Sequence, residues 1–70
     1  MVNGNKLRGR IIEKGLSIGK VAESINVSAS TLGRKLRGVA GMTLREAEML
    51  CHVLDIPKNE ILNYFFVQEG

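Results

Sequence analysis

Three cations, several small side chains and no carboxylate stand together between Ser28 and Gly38, in the stretch Ala29-Ser30-Thr31-Leu32-Gly33-Arg34-Lys35-Leu36-Arg37. Cations at that density suit an anion or a polyanion. Only Leu32 and Leu36 are clearly apolar, and they lie four residues apart. A helix over this stretch therefore has one narrow buried stripe and a wide outer side. Other chemistry has little to work with. The one histidine, His52, follows the one cysteine, Cys51, and adjacent residues on a helix diverge. A zinc site needs several such ligands, and a nucleophile needs a base beside it. No metal, no cofactor and no enzymatic activity are expected. Cys51 reads as a small core residue and His52 as a rim residue.

The charge is unevenly spread. Residues 1–37 hold eight cations against two carboxylates, a net +6, and residues 38–70 hold two against five, a net −3; together they give the chain's +3. A basic half joined to an acidic half points to one surface for a polyanion.

Seventy residues make a single domain spanning 1–70. A chain this short buries only about 60% of the surface it exposes when unfolded, so its stability should be marginal. Of its residues 44% are apolar, and nearly all of these are needed for a core. Little remains for an enclosed substrate pocket, so no small-molecule substrate is expected. With one cysteine no internal disulfide can form, which favours a reducing, cytoplasmic setting. No stretch approaches the ~18 apolar residues of a membrane helix. The polar start Met1-Val2-Asn3-Gly4-Asn5-Lys6 lacks the apolar middle of a signal peptide.

These side chains need elements to hold them, and apolar spacing predicts an all-α chain of five short helices. The first is expected from about Lys6 to Lys14, capped by Asn5 and stopped by Gly15. The second is expected from about Ile18 to Ile25, with Ser17 as its cap and Ile18, Val21, Ala22 and Ile25 as its inner stripe. Asn26 can take the left-handed bend that follows. The third runs from about Ala29 to Arg37, capped by Ser28 and stopped by Gly38. After a loop at 38–42, Thr43 and Glu46 form a capping box for a fourth helix, Leu44 to about Leu54. Its inward face is read as Leu44, Ala47, Leu50, Cys51 and Leu54. Asp55-Ile56-Pro57 breaks it. Pro57 leads into a fifth helix, about Lys58 to Tyr64, with Ile61 and Leu62 inward. Phe65 is assigned to the core, while Phe66 is left open between core and a dimer surface.

From Leu16 to Gly38, two short helices joined by the tight turn Ser24-Ile25-Asn26-Val27-Ser28 have the spacing of a helix-turn-helix. Ala22 is small where the third helix must cross the second closely, and Val27 and Leu32 can plug the wedge between them. The string Gly15-Leu16-Ser17, Val21-Ala22, Val27-Ser28, Ser30-Thr31-Leu32, Arg34-Lys35-Leu36 and Gly38 resembles the helix-turn-helix of the lambdoid phage repressor and Cro family, also called Xre-type regulators. Thr43-Leu44, Ala47, Leu50, Leu54, Ile56-Pro57, Glu60-Ile61 and Tyr64-Phe65-Phe66 resemble the tail of small prophage members. The likeness covers about residues 5–66, which is taken as the core of the domain.

The resemblance implies a compact five-helix lambda-repressor-like domain that lays its third helix in the major groove of double-stranded DNA. It implies Ala29, Ser30, Gly33 and Arg34 as base-reading positions. Arg34 leads, because its planar fork can bond guanine O6 and N7 together. Phosphates would be gripped near Ser17, Ile18 and Gly19 and near Ser28, where helix starts offer free amides, with Lys20, Lys35, Arg37 and either Arg8 or Arg10 adding charge. Three departures stand out. Ile18 replaces a glutamine that many relatives set on a phosphate. Ile11 and Leu36 take the places of a buried Arg–Glu pair, a swap that is often neutral or stabilising. The loop at 38–42 lacks basic residues. The resemblance further implies a transcription regulator, a phage or prophage repressor of the Cro type. It would occupy an operator as a weak or DNA-assisted homodimer. The alternative is a protein-interaction module, such as a DNA-binding antitoxin or an antirepressor partner.

Overall fold

The computed structural model describes residues 2–65. Among these the chain forms five α-helices and no strand: α1 (Gly4–Glu13), α2 (Ile18–Ser24), α3 (Ala29–Leu36), α4 (Leu44–Val53) and α5 (Ile61–Phe65). A single 3₁₀ turn, Lys58–Glu60, runs directly into α5. The domain measures 32 × 24 × 20 Å.

Each of the first four helices starts on a side-chain cap. Asn3, Ser17, Ser28 and Thr43 accept from the amides of Lys6, Lys20, Thr31 and Glu46. Such caps satisfy one of the donors that a helix start leaves open. Three of the four caps match the sequence reading. The first does not: Asn3, not Asn5, caps α1, so that helix begins two residues earlier than expected. Gly4 explains why. At this position a Cβ would run into the backbone carbonyl of Leu36, so α1 enters against the end of α3 where only glycine fits.

The same four helices also share one ending. Gly15, Asn26, Gly38 and Asp55 all take left-handed backbone, with φ of 71°, 62°, 77° and 50°. In each case the next amide, that of Leu16, Val27, Val39 or Ile56, donates back to the carbonyl five residues earlier at 3.0 Å. This is the Schellman arrangement, and an apolar residue after the bend is its usual companion. Leu16, Val27 and Ile56 pack against the core, but Val39 stays 64% exposed.

The core is contiguous. Leu7 and Ile11 of α1 meet Val21, Ala22 and Ile25, Leu32 and Leu36 of α3, Leu50 and Leu54, and Ile56, Tyr64 and Phe65. Ile11 and Leu36 are both buried, as expected of an apolar pair. α2 packs chiefly on α3, and α1 lies against α2, α3 and α5. The Asn3 amide donates to the Tyr64 carbonyl at 2.7 Å, and the Lys6 ammonium sits 4.9 Å from the Tyr64 ring centre. Both ends of the described chain are thereby joined.

Two inward assignments are corrected. Leu44 is 72% exposed and Leu62 is 68% exposed. Leu44 is the first residue of α4, ahead of the turn that meets the core, and Leu50 and Leu54 carry the burial instead. Ile18 and Ile61 are only partly buried. Phe65 lies in the core as expected; Phe66 falls outside the described residues.

Candidate nucleic-acid interface

α3 is held by its two leucines and its cap. Leu32 is fully buried and Leu36 nearly so. The Ser28 hydroxyl accepts from the Thr31 amide at 3.1 Å and donates to the Thr31 hydroxyl at 2.9 Å. That fixes the opposite side of the helix outward. Ala29, Ser30, Arg34 and Arg37 are exposed and Gly33 is partly so. Their spacing of one, four, five and eight residues from Ala29 places them on one face. A Cβ added to Gly33 would meet nothing within 4 Å, so the missing side chain serves no internal packing.

The cations divide into two groups. Among the described residues Arg8, Lys20, Arg34 and Arg37, together with Lys6, Arg45 and Lys58, have no ion-pair partner, whereas Arg10, Lys14 and Lys35 do. Arg8 and Arg37 line one polar cleft of about 370 Å³ with Asn3, Gly4 and Asn5 at the start of α1. The fold thus brings α1 and α3 guanidinium groups to one place.

Two of the cations expected at phosphates find partners within the fold. Lys35 is the first. Its ammonium instead donates to the Gly41 carbonyl at 2.8 Å and to the Glu46 carboxylate at 3.0 Å, and both side chains are little exposed, at 11% and 17%. Lys35 ties the end of α3 to the 38–42 loop and to α4. Arg10, one of two candidates for extra charge, turns away as well. It donates to the carbonyls of Leu54 and Asp55, each at 2.8 Å, and so caps the end of α4. Lys14 pairs with Asp55 beside it at 2.6 Å. Charge complementarity explains both changes: a carboxylate or unpaired carbonyls lie within reach, but across 11 to 45 residues of sequence.

Ser17, Gly19 and Lys20 are exposed along the start of α2, while Ile18 tucks partly under it. Ser28 is exposed at the start of α3. At α4, Glu46 accepts from the Thr43 amide at 2.9 Å and Thr43 accepts from the Glu46 amide at 3.1 Å, the reciprocal box expected. The Thr43 amide, with Lys35 beside it, holds the Glu46 carboxyl below its ordinary value. Burial, with the Glu48 charge adding, pushes the Cys51 thiol up, which keeps it a thiol at neutral pH. The described residues contain no grouping of three His, Cys, Asp or Glu side chains that could hold a metal ion. None of their helices is long and apolar enough to cross a membrane.

The described residues thus form a small all-helical domain in which α3 presents a cation-bearing face to solvent. The chain belongs to the family described as "Protein of unknown function (DUF739)", whose pattern matches residues 3–68. No curated protein matches it.

Proposed function

We propose that this chain is a sequence-specific, double-stranded DNA-binding regulator of the repressor and Cro kind, with α3 as the helix that enters the major groove. What carries this reading is the outer face of α3. It combines small residues at Ala29, Ser30 and Gly33 with the guanidinium groups of Arg34 and of the C-cap Arg37, neither ion-paired among the described residues, and no carboxylate lies on the helix. Small side chains allow close approach to base edges, and cations answer the phosphates on either side. The left-handed Asn26 between α2 and α3, and the buried Ala22 at their contact, support reading the pair as a helix-turn-helix.

Roles divide accordingly. Arg34 reads guanine through O6 and N7. Ser30 and Ala29 contact neighbouring base edges, and Ala29 can touch a thymine methyl. Lys20, Arg37 and Arg8, with the free amides at the start of α3, hold phosphates. Lys35 is left out of that set. Two copies would sit on two half-sites about 34 Å apart, one turn of DNA, with occupancy of a promoter as the whole mechanism.

Selection of bound sequences from random duplex DNA tests this. A two-fold consensus is expected. Arg34→Ala should weaken binding to it by about 1–3 kcal/mol and relax preference at one base pair per half-site. Recovery of no consensus, or an equal loss on every sequence, would remove α3 from base reading.

A further inference from the structure

Asn3 is followed by Gly4, whereas Asn5, Asn26, Asn59 and Asn63 are each followed by a larger residue. The fold has a use for both members of the pair. Asn3 caps α1, its side-chain carbonyl accepting from the Lys6 amide at 3.2 Å. Gly4 is forced, because a Cβ there would strike the Leu36 carbonyl. Yet asparagine is a thermolabile residue, and a following glycine puts no side chain in the way of attack by the backbone nitrogen. That nitrogen is the first of α1, and the opening amides of a helix have no partner four residues back. Asn3 and Gly4 both line the open polar cleft beside Arg8 and Arg37, so water reaches them.

We propose that Asn3 is a site of spontaneous deamidation, held shut by the folded start of α1 and released when that start comes loose. The chemistry needs only water and hydroxide. The Gly4 nitrogen gives its proton to hydroxide and attacks the Asn3 Cγ. The Cγ–Nδ2 bond breaks, ammonia leaves with a proton from water, and a five-membered succinimide remains. Water then adds to one of its two carbonyls. Breaking the Cγ–N bond gives aspartate. Breaking the bond from the main-chain carbonyl to nitrogen gives isoaspartate, whose backbone runs through the former side chain. Nothing is oxidised or reduced.

The native backbone forbids the first step. With ψ of 87° at Asn3, the Gly4 nitrogen lies nearly opposite the Asn3 Cβ, and the ring closes only if that bond turns through most of a half-circle. Beside the cap bond, two contacts resist the turn. The Asn3 amide donates to the Tyr64 carbonyl at 2.7 Å, and the Asn3 carbonyl accepts from the Leu7 amide at 3.0 Å. Local opening costs less than unfolding the domain, so the rate is set by how often the start of α1 leaves Tyr64. The products then differ. Aspartate caps a helix as well as asparagine does and suits its positive end. Isoaspartate lengthens the backbone by one carbon, which carries the cap away from the Lys6 amide and Gly4 away from Leu36. Either product sets a carboxylate in the cleft with Arg8 and Arg37. There it competes with DNA phosphate for both guanidinium groups, a consequence that rests on the DNA-reading proposal above.

The test holds the full chain in warm, mildly alkaline buffer with and without denaturing urea. Peptide mapping by mass spectrometry follows the conversion, and an isoaspartyl methyltransferase scores the isoaspartate. In urea Asn3 should convert ahead of the other four asparagines, and without urea at least tenfold more slowly. Conversion first at another asparagine in urea overturns the site. Equal rates in the two conditions overturn the gating by α1. Asn3→Asp supplies one product directly. It should melt no lower than wild type and reduce the salt dependence of DNA binding by about one unit in a log–log plot; an unchanged slope overturns the effect on the cleft. Should wild type select no DNA site, the DNA reading fails, while the peptide map still decides the fate of Asn3.

Discussion

Gly33→Ala should make the domain more stable and a poorer DNA binder. Gly33 lies inside α3, and an added Cβ meets nothing within 4 Å. The fold has no objection to a methyl group there. Alanine is favoured over glycine in a helix interior by about 0.8–1 kcal/mol. For a domain of this size each kcal/mol raises Tm by about 4–8 °C, so a rise of several degrees is expected. On DNA the sign reverses. The methyl stands between Ala29–Ser30 and Arg34, on the side proposed to face base edges, and would hold the helix off the groove floor. Spoiling one base-pair contact usually costs about 1–3 kcal/mol, a loss of about 5- to 150-fold. Gly9→Ala is the control. Gly9 is exposed within α1, and its Cβ also meets nothing within 4 Å. It should gain similar stability and leave affinity alone. Thermal melts followed by circular dichroism, and titrations of one labelled operator duplex, read both quantities. A Gly33→Ala protein that melts higher and binds as tightly as wild type would refute the seating of α3 in the groove.

Other expectations follow from the polar network and the tight contact at Gly4. Lys35→Met should lower stability by roughly 1–3 kcal/mol, between an exposed and a buried ion pair, and leave the salt dependence of DNA binding unchanged. Lys20→Ala should reduce that dependence by about one unit in a log–log plot without altering sequence preference; a smaller slope in Lys35→Met would return Lys35 to the phosphate ligands. Glu46 is held below its ordinary value of 4.5, so the unfolded chain takes up this proton first as pH falls. The stability it supplies is complete above about pH 4.5 and lost below it. Melts between pH 7 and pH 3 should show a drop at the acid end that is smaller in Glu46→Gln. Gly4→Ala drives a Cβ into the Leu36 carbonyl and should destabilise by about 1–3 kcal/mol, the opposite of Gly9→Ala; a melt no lower than wild type would contradict that contact.

Local rules made much of the fold readable. Ser17, Ser28 and Thr43 announce helix starts because their side chains bond amides three residues on. Gly15, Asn26 and Gly38 announce ends because they tolerate left-handed backbone. The narrow Leu32–Leu36 stripe fixed which side of α3 faces out. What escaped depends on the third dimension. Asp55 adopts the same left-handed bend without glycine, supported by Arg10 and Lys14 from α1. Asn3 displaces Asn5 as the cap because Gly4 allows α1 to begin against α3. Leu44 satisfies the helical period yet precedes the packed turns of α4. The outer residues of α3 followed from spacing, whereas the fate of Lys35 turned on a carboxylate 11 positions away. A cation's partner is set by tertiary position, which spacing along the chain does not encode.

Dimethyl sulfate attacks guanine N7, an atom that lies open in the major groove. Footprinting the selected duplex with wild type and Arg34→Ala therefore asks directly whether α3 occupies that groove. Wild type should protect a guanine N7 in each half-site, and Arg34→Ala should restore its reactivity while neighbouring contacts persist. Full N7 reactivity beneath bound wild-type protein, or protection that survives the loss of Arg34, would contradict the assignment.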